Sequence, residues 1–578
     1  MTHIAEPGAA DLAAGRVTGQ GSGVLVQSAI SVVSTALIAV ALLPAMLQAF
    51  LDKPLYYPEA AFTFGNFARL FTDPEILQTF GTTAIFCLIV VSFSMAVGTT
   101  LAILVGRTDL PGRGWLLGVL LWPLFISPQI IGFGAILAYG PYGLLTAFVG
   151  DAIGVRLPWN LYSVVGIAIV CGIAAAPVTM LYCIGAARQQ DPNHDAAARV
   201  VGAGPSRILR RINLPLMRPA LVFALIMNIV SALEALAIPL ILGNPVGIKL
   251  LTTMIYDLSF ERGTPNYGLV AALALVLMAL VALLFLFQRL VLAAGHRFVS
   301  LGTRAGQLRA LPLGRWRWPV FAAVMVYVVL AILAILGCVA IRSVTEVFSP
   351  DISPFEVLTL ANFHTIVSID LYVRSITNTL VLAVVGAAAG TVLIAAVALV
   401  AQRSAFPLRR AVDGVAQLPR VIPGFIVGLG VFYASVFIPG MSVLRNTIWL
   451  LFVAYLIRFL SSGYGIVSPA LLQISPDFDR AAKSVGAGWT STMRRIVLPL
   501  SKPALLSCFI LLMILIIKEY SSAVFLMAPG SEVMGATMLA LWIQGQTGPV
   551  AALAVLQIAL TAVMTVAAKQ LLGVKLHG

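Results

Sequence analysis

Long apolar runs are the feature that most restricts the fold of this 578-residue chain. A helix needs roughly 20 mostly apolar residues to cross a bilayer, and the sequence contains twelve such segments. They lie at about 24–50, 81–106, 114–139, 161–187, 219–242 and 267–292, and again at about 319–342, 377–401, 408–437, 447–472, 503–527 and 549–571. Only 10% of the residues are charged, too few to cover the surface of a soluble protein. The sequence therefore predicts an all-α integral membrane protein with twelve transmembrane helices.

The basic residues lie in alternate loops between these runs. They concentrate after the second, fourth, eighth and tenth runs and in the central linker, whereas the opposite loops hold acidic residues such as Asp52, Glu59 and Glu346. Cytoplasmic loops are enriched in Lys and Arg, so both termini and the linker are predicted to be cytoplasmic. The net charge of +14 thus reflects membrane orientation, and no nucleic-acid partner is expected.

The runs divide the chain into four parts. We expect a cytoplasmic tail at 1–23, a first six-helix half at 24–293, a cytoplasmic linker at 294–318 and a second six-helix half at 319–578. The tail has no basic start leading to a cleavage site, so no cleavable signal peptide is predicted. The five cysteines are scattered through the apolar runs, which indicates neither a metal site nor a disulfide framework.

One polar loop occurs twice. The stretch DAAARVVGAGPSRILRRINLPL begins at Asp195, and DRAAKSVGAGWTSTMRRIVLPL begins at Asp479. Residues 191–221 and 475–505 align without a gap and are identical at more than half of the positions. Upstream, GNFARLF at Gly65 corresponds to ANFHTIV at Ala361. An even number of spans per half keeps the halves in one orientation, so this is a parallel repeat with its pseudo-two-fold axis along the membrane normal.

The loop sequence predicts a short helix–turn–helix. An acidic residue follows a proline, which suits a helix N-terminus. Gly-Ala-Gly then breaks the helix, and Leu-Pro marks the return to the membrane. Taken alone, such a segment could be an ordinary cytoplasmic loop with a basic face.

The doubled pattern resembles the E-A-A-x-x-x-G…L-P loop of ABC importer permeases, at the expected place between the fourth and fifth spans. In that family the loop docks into a cleft on the ATPase subunit and transmits its closure. The resemblance assigns this coupling role to Asp195, Ala197, Ala198 and Gly202, and to Asp479, Ala481, Ala482 and Gly486. The sequence departs from the family at the glutamate position, which holds Ala196 and Arg480, while the acid falls one residue earlier.

Two further segments are similar to fused two-half permeases for iron(III). These are KEYSSAVFLMAPGSEVM from Lys518 and LPRVIPGFIVGLG from Leu418. Relatives of that subgroup carry polyamines, 2-aminoethylphosphonate, thiamine or sulfate. The resemblance implies two copies of a cytoplasmic ABC ATPase, an external or periplasmic solute-binding protein, and a location in the bacterial inner membrane.

The chain is not predicted to be an enzyme. No G-x-x-x-x-G-K-[ST] loop occurs in it, so ATP and magnesium are expected on the partner ATPase, and no cofactor, catalytic residue or resident metal is expected here.

Charged residues inside the spans are costly and need a reason. Glu234 and Glu519 occupy nearly matching places in the fifth and eleventh spans and could form a path for a hard cation, which prefers oxygen ligands. Arg458 could anchor helices or contact the solute, and Arg420 stands in a proline-broken helix that could line the pathway. Structural pairing is the alternative for each.

Three functions compete for a chain of this kind. An ion-coupled secondary transporter could also have two six-span halves, but it has no ATPase to which a doubled loop could dock. An intramembrane enzyme would need a His cluster, a Ser/Lys pair or an H-E-x-x-H motif, none of which is present. The sequence therefore predicts an ABC importer permease, with iron(III) as the first substrate hypothesis.

Overall fold

The computed structural model of the protein describes residues 9–155, 159–263, 265–293 and 310–572. Within these ranges the chain is helical and contains no strand, only isolated backbone bridges such as Leu51 to Phe62. The all-α class is confirmed. The predicted tail and linker fall partly outside the described residues, and residues 9–23 of the tail belong to the first helix.

The two halves contain similar successions of helices. The first contains α1 (Ala9–Ala49), α2 (Gly65–Thr72), α3 (Pro74–Arg107), α4 (Arg113–Leu121), α5 (Pro128–Tyr139), α6 (Leu144–Ile153), α7 (Val164–Arg188), α8 (Pro192–Val200), α9 (Pro205–Ile208), α10 (Leu214–Leu216), α11 (Arg218–Leu233), α12 (Ala237–Gly243), α13 (Leu251–Tyr256) and α14 (Tyr267–Ala293). The second contains α15 (Arg317–Val328), α16 (Ala334–Ser343), α17 (Ala361–Ser368), α18 (Asp370–Arg403), α19 (Arg409–Gln417), α20 (Gly424–Phe437), α21 (Ile448–Gln473), α22 (Asp477–Ser484), α23 (Trp489–Thr492), α24 (Leu498–Leu500), α25 (Lys502–Ile517), α26 (Ala523–Leu526), α27 (Met534–Ile543) and α28 (Thr547–Leu572).

The described helices provide nine to thirteen candidate spans. Nine are long and apolar enough to cross a membrane, and four further pairs are bent by more than 40° at a short break. Each predicted run is largely helical, but the third, fifth, ninth and eleventh are not single straight helices. The predicted number of twelve lies within the range of nine to thirteen but is not confirmed. The ninth bends by 107° between α19 and α20, where Pro419 and Pro423 remove backbone donors.

The predicted extents of the fifth and eleventh spans were wrong. The sequence runs them to 242 and 527, whereas α11 ends at Leu233 and α25 at Ile517. After each break the chain stays buried in shorter helices, α12 and α13 in the first half, α26 and α27 in the second. Hydropathy could not show these breaks, because the residues on both sides are equally apolar.

Polar groups from other helices complete the backbone at these breaks. The backbone N–H of Ala237 donates to the hydroxyl of Tyr520 at 3.2 Å, and the side chain of Gln557 donates to the carbonyl of Ile517 at 2.5 Å. The hydroxyl of Ser522 donates to the carbonyl of Gly424 at 2.8 Å. Non-helical backbone is tolerated at membrane depth only where protein or water satisfies it, so the breaks are stabilised by contacts remote in sequence.

The first span of each half crosses onto the other half. Helix α1 packs against α20, and α16 packs against α5. At both crossings a glycine allows the close approach: a Cβ on Gly430 would overlap the carbonyl oxygen of Ala41, and one on Gly134 would overlap that of Ile335. The halves are therefore interlocked through their first helices.

The repeat extends to individual hydrogen bonds. The side chain of Asn66 donates to the carbonyls of Ala49 and Leu51 at the end of α1. The side chain of Asn362 donates to the carbonyls of Arg342, Ser343 and Thr345 at the end of α16. Each asparagine lies at the start of a short amphipathic helix that precedes the second span of its half. The two halves thus share a detailed framework, which supports the predicted tandem organisation.

Candidate functional site

The repeated polar loops fold as the predicted helix–turn–helix. In the first loop the Asp191 side chain caps α8 by accepting the backbone N–H of Asn193. Helices α8 and α22 are followed, two residues after their ends, by Gly202 and Gly486, whose φ angles are +78° and +80°. Only glycine adopts this left-handed region at no steric cost.

A second short helix and a sharp bend follow each turn. Helices α9 and α23 continue into π-helical turns at Leu209–Asn213 and Met493–Val497. Each loop then passes through Leu-Pro and bends sharply. The bend is 67° before α11 and 74° before α25. The loops are therefore joined directly to the helices that end at the buried breaks.

The exposed surface of the loops is formed by their tips. Val201 and Val485, at equivalent positions before the two glycines, are each 81% exposed. Of the predicted coupling residues, Ala197, Gly202, Ala481 and Gly486 are exposed, Ala198 is half-buried and Ala482 is buried. The tips offer small apolar groups to a partner.

The two predicted acidic residues face inward. Asp195 is 5% exposed and pairs with Arg107, the last residue of α3. Asp479 pairs with Arg403, the last residue of α18, at 3.5 Å. Sequence reasoning counted these arginines only as cytoplasmic charges, although their identical position, at the end of the second span of each half, was a usable signal.

A cavity of about 350 Å³ lies where the broken helices meet. Its walls come from the α11–α12 junction, the α25–α26 junction, the start of α5 and the middles of α3, α7 and α21. Four charged side chains line it: Glu234, Arg458, Lys518 and Glu519. The remaining wall is mostly apolar, so these four groups dominate its electrostatics.

Two of the four charges are already engaged with each other. The Nε of Arg458 donates to a carboxylate oxygen of Glu519 at 2.9 Å, and Glu519 also accepts from Ser521 and from the backbone N–H of Ser522. The Lys518 ammonium donates to the carbonyl of Leu124 at 2.7 Å. The structure thus brings Arg458 into the site and gives Glu519 a structural partner.

The counterpart of Glu234 in the second half is Lys518. Both residues follow the last residue of their helix, α11 or α25, and their backbone N–H groups donate to Val230 and Ile514 in the same register. Glu519 lies one residue further on. Glu234 and Glu519 therefore lie one position apart in the repeat, and the residue equivalent to the acid Glu234 is the base Lys518.

An ion pair near the start of α3, and another near the start of α18, also differ in sign between the halves: the loop residue is basic in the first pair and acidic in the second. Lys249, which follows the buried helix α12, pairs with Glu75 near the start of α3 at 3.0 Å. In the second half Glu532 occupies the equivalent loop position and pairs with Arg374 near the start of α18 at 3.4 Å. The halves repeat in backbone but not in charge.

Arg420 lies outside the lining of this cavity. Its guanidinium carbon stands 4.9 Å from the ring centre of Phe285 and 5.6 Å from that of Phe223, a cation–π arrangement with the first half. Among the described residues, no group of three or more His, Cys, Asp or Glu side chains is placed to hold a metal ion. The acidic side chains that line the cavity are Glu234 and Glu519, beside the basic Arg458 and Lys518.

A family model covers most of the chain. The model described as "Binding-protein-dependent transport system inner membrane component" matches residues 98–294 and 390–572. It therefore matches once in each half, and each match includes one of the repeated loops.

Individual relatives are more distant. A Sinorhizobium fredii protein described as a probable ABC transporter permease, y4fN, is 27% identical over 400 residues, which cover 68% of this chain and 69% of that protein. The ferric transport system permease FbpB of Actinobacillus pleuropneumoniae is 25% identical over 424 residues, 72% of this chain and 60% of its own length. The sulfate permease CysW of Escherichia coli is 28% identical over 220 residues, 38% of this chain and 72% of CysW.

Proposed function

Because this chain belongs to the family of binding-protein-dependent transport system inner membrane components, we propose that it forms the complete membrane pathway of an ABC importer. An external or periplasmic binding protein delivers the solute, and two copies of a cytoplasmic ATPase, which carry ATP and magnesium, drive its passage. The protein lies in the bacterial inner membrane with both termini in the cytoplasm. It performs no chemistry itself.

The observation that carries this proposal is the pair of exposed loop tips. Each half presents a glycine-ended helix with a valine at its tip, and both loops lead to helices that line the cavity. Two equivalent tips suit two copies of one partner. An ion-coupled carrier has no partner for such surfaces.

The test is the composition of the complex isolated from native membranes. We expect native mass spectrometry of the tagged full chain to show two ATPase subunits for each copy. Replacing Val201 and Val485 with Asp should remove both, because a charge would enter an apolar contact. A wild-type chain without an ATPase, combined with uptake driven by an ion gradient, would support the carrier instead.

For the solute we propose iron(III) first. The similarity to ferric permeases and the two carboxylates of the cavity support this assignment. Glu519 is tied to Arg458, whereas Glu234 has no side-chain hydrogen bond or ion pair within the part of the chain that the structure describes. In proteoliposomes, Glu234→Gln should lower binding-protein-dependent uptake of iron(III) several-fold, while basal ATP hydrolysis survives because the loops are untouched.

A second candidate is a solute with an anionic group, such as 2-aminoethylphosphonate; polyamines, thiamine and sulfate are the remaining alternatives. Lys518 and Arg458 favour this candidate, because two basic groups in the cavity would oppose a bare cation. For such a solute Lys518→Gln should lower uptake more than Glu234→Gln does. Unchanged iron(III) uptake in Glu234→Gln would remove this residue from the path.

A further inference from the structure

The acidic residues of the loops are turned away from the surface that a partner would touch. The side chains of Arg107 and Asp195 are 5% and 8% exposed, and those of Arg403 and Asp479 are 6% and 21% exposed. A carboxylate held in this way is not presented to an approaching subunit. Its role must be sought inside the chain.

Each pair joins the loop helix to the cytoplasmic end of a long span. In the first half Arg107 also donates to the carbonyl of Gln190, whose side chain donates to the carbonyl of Asn213 in the π-helical turn. The arginine therefore binds the end of α3, the entry to α8 and the exit of the loop together.

The second half makes the same connection with different neighbours. The indole N–H of Trp489 donates to the carbonyl of Arg403 at 2.9 Å, so this arginine contacts both helices of its loop. Asp479 lies in the first turn of α22, as Asp195 does in α8. The construction is repeated although the hydrogen bonds beside it differ between the two halves.

Stability alone does not explain these pairs. The Nε atoms of both arginines and one carboxylate oxygen of each aspartate have no hydrogen-bond partner among the described residues. Buried ion pairs with unfilled hydrogen-bonding positions are weak contributors to stability, and apolar replacements often serve as well. Their presence at both equivalent positions calls for a role that depends on the connection itself.

We propose that Arg107–Asp195 and Arg403–Asp479 are latches that make the loop helix and the second span of each half move as one body. This inference rests on the proposed function. When the ATPases move the loop tips, the latches pass that movement to α3 and α18 instead of letting the loop absorb it. The two aspartates are positioning residues and do not contact the ATPase.

The first latch is connected most directly to the cavity, because α3 itself contributes to the cavity lining. Helix α3 carries Val90, which lines the cavity about 25 Å along the helix from Arg107. Helix α18 contributes no residue to the lining and reaches the cavity only indirectly, through α21 and α25, against which it packs. Breaking the first latch should therefore reduce coupling more than breaking the second.

The latch itself can be tested on the chain alone. Spin labels at Val201 and Thr100 in nanodiscs report the distance between the loop tip and α3, in a background where the five native cysteines are alanine. Arg107→Gln should broaden the distance distribution about twofold or more, and the exchanged pair Arg107→Asp/Asp195→Arg should narrow it again. The matched control is Asp477→Asn, which breaks an exposed ion pair with Arg480 in the other loop and should change nothing. A distribution of unchanged width in Arg107→Gln would overturn the proposal.

The complex with its ATPase provides the second measurement. We expect Arg107→Gln and Asp195→Asn to keep the bound ATPase and its basal hydrolysis, but to lose about tenfold of the stimulation by the loaded binding protein. Arg403→Gln should lose less, and the exchanged pair should recover most of it. Loss of the ATPase from Asp195→Asn would make the acid a docking residue and refute the latch. If the wild-type chain binds no ATPase, the proposed function fails, while the spin-label result still decides the latch.

Discussion

Gly424 has no room for a side chain, because the guanidinium of Arg458 occupies the space that a Cβ would fill. The carbonyl of the same glycine accepts a hydrogen bond from the hydroxyl of Ser522, whose backbone N–H donates to the carboxylate of Glu519. The arginine of the cavity is thus positioned by backbone as well as by its carboxylate. Although Arg458 has no charged counterpart in the first half, its surroundings are built to hold it.

Gly424→Ala should therefore displace Arg458 from Glu519. We expect a loss of about 1–3 kcal/mol, typical of overpacking a filled site, seen as a lower thermal midpoint in detergent and as reduced uptake. The control is Gly414→Ala in α19, where a Cβ meets nothing within 4 Å and where alanine favours the helix. Equal midpoints for both variants would contradict the tight seat described for Arg458.

The loop glycines are constrained by conformation rather than by space. No atom lies within 4 Å of a Cβ built on Gly202 or Gly486, yet both have left-handed backbones. Valine at both positions should strain each turn by about 1–2 kcal/mol and uncouple ATP hydrolysis from uptake while the protein still inserts. Gly204→Val is the control, since Gly204 has open space and no positive φ. Normal coupling in the double valine variant would argue against a coupling role for the turns.

At the scale of the elements, the sequence predicted the apolar helices and the repeated loops well, because composition and repetition are local signals. It did not predict the breaks at Glu234 and Lys518, which depend on hydrogen bonds from residues hundreds of positions away, such as Tyr520 to Ala237. Nor did it predict the inward acids, because the partner arginines belong to another helix. The cavity is lined by those breaks, so the sequence did not predict it either.

The hydroxyl of Tyr520 is the simplest of these long-range contacts to remove. Tyr520→Phe leaves the buried N–H of Ala237 without an acceptor, which should cost about 1–3 kcal/mol and lower the thermal midpoint. Tyr142→Phe provides the comparison, because Tyr142 is 83% exposed. If the two variants unfold at the same temperature, the break is held by other contacts.

At the scale of the whole molecule, two matching frameworks carry opposite charges at matching points. Glu234 corresponds in the repeat to Lys518, and Lys249, which pairs with Glu75, corresponds to Glu532, which pairs with Arg374. The charged groups at equivalent positions of the two halves therefore differ in sign. The fused chain makes this possible, since each half can diverge without affecting the other.

The predicted orientation can be tested with two introduced cysteines. Glu59, whose side chain is 83% exposed in the loop after α1, and Val485 at a loop tip should lie on opposite faces of the membrane. A membrane-impermeant maleimide should label Glu59→Cys from outside intact spheroplasts and Val485→Cys only after lysis. Labelling of both from outside would overturn the assignment of the loops to the cytoplasm.

The crossing of the first helices has a consequence for how the protein is made. Helix α1 leaves the ribosome before α20, because Gly430 follows Ala41 by roughly 390 residues, which at ordinary translation rates of about 5–20 residues per second takes roughly 20–80 s. During this interval α1 lacks its contact with α20, whereas α5 waits roughly 200 residues, about half as long, for its contact with α16. A nascent chain that stops after the first half would thus lack the helices against which α1 and α5 pack. Joining both halves in one polypeptide supplies these partner helices from the same translation event.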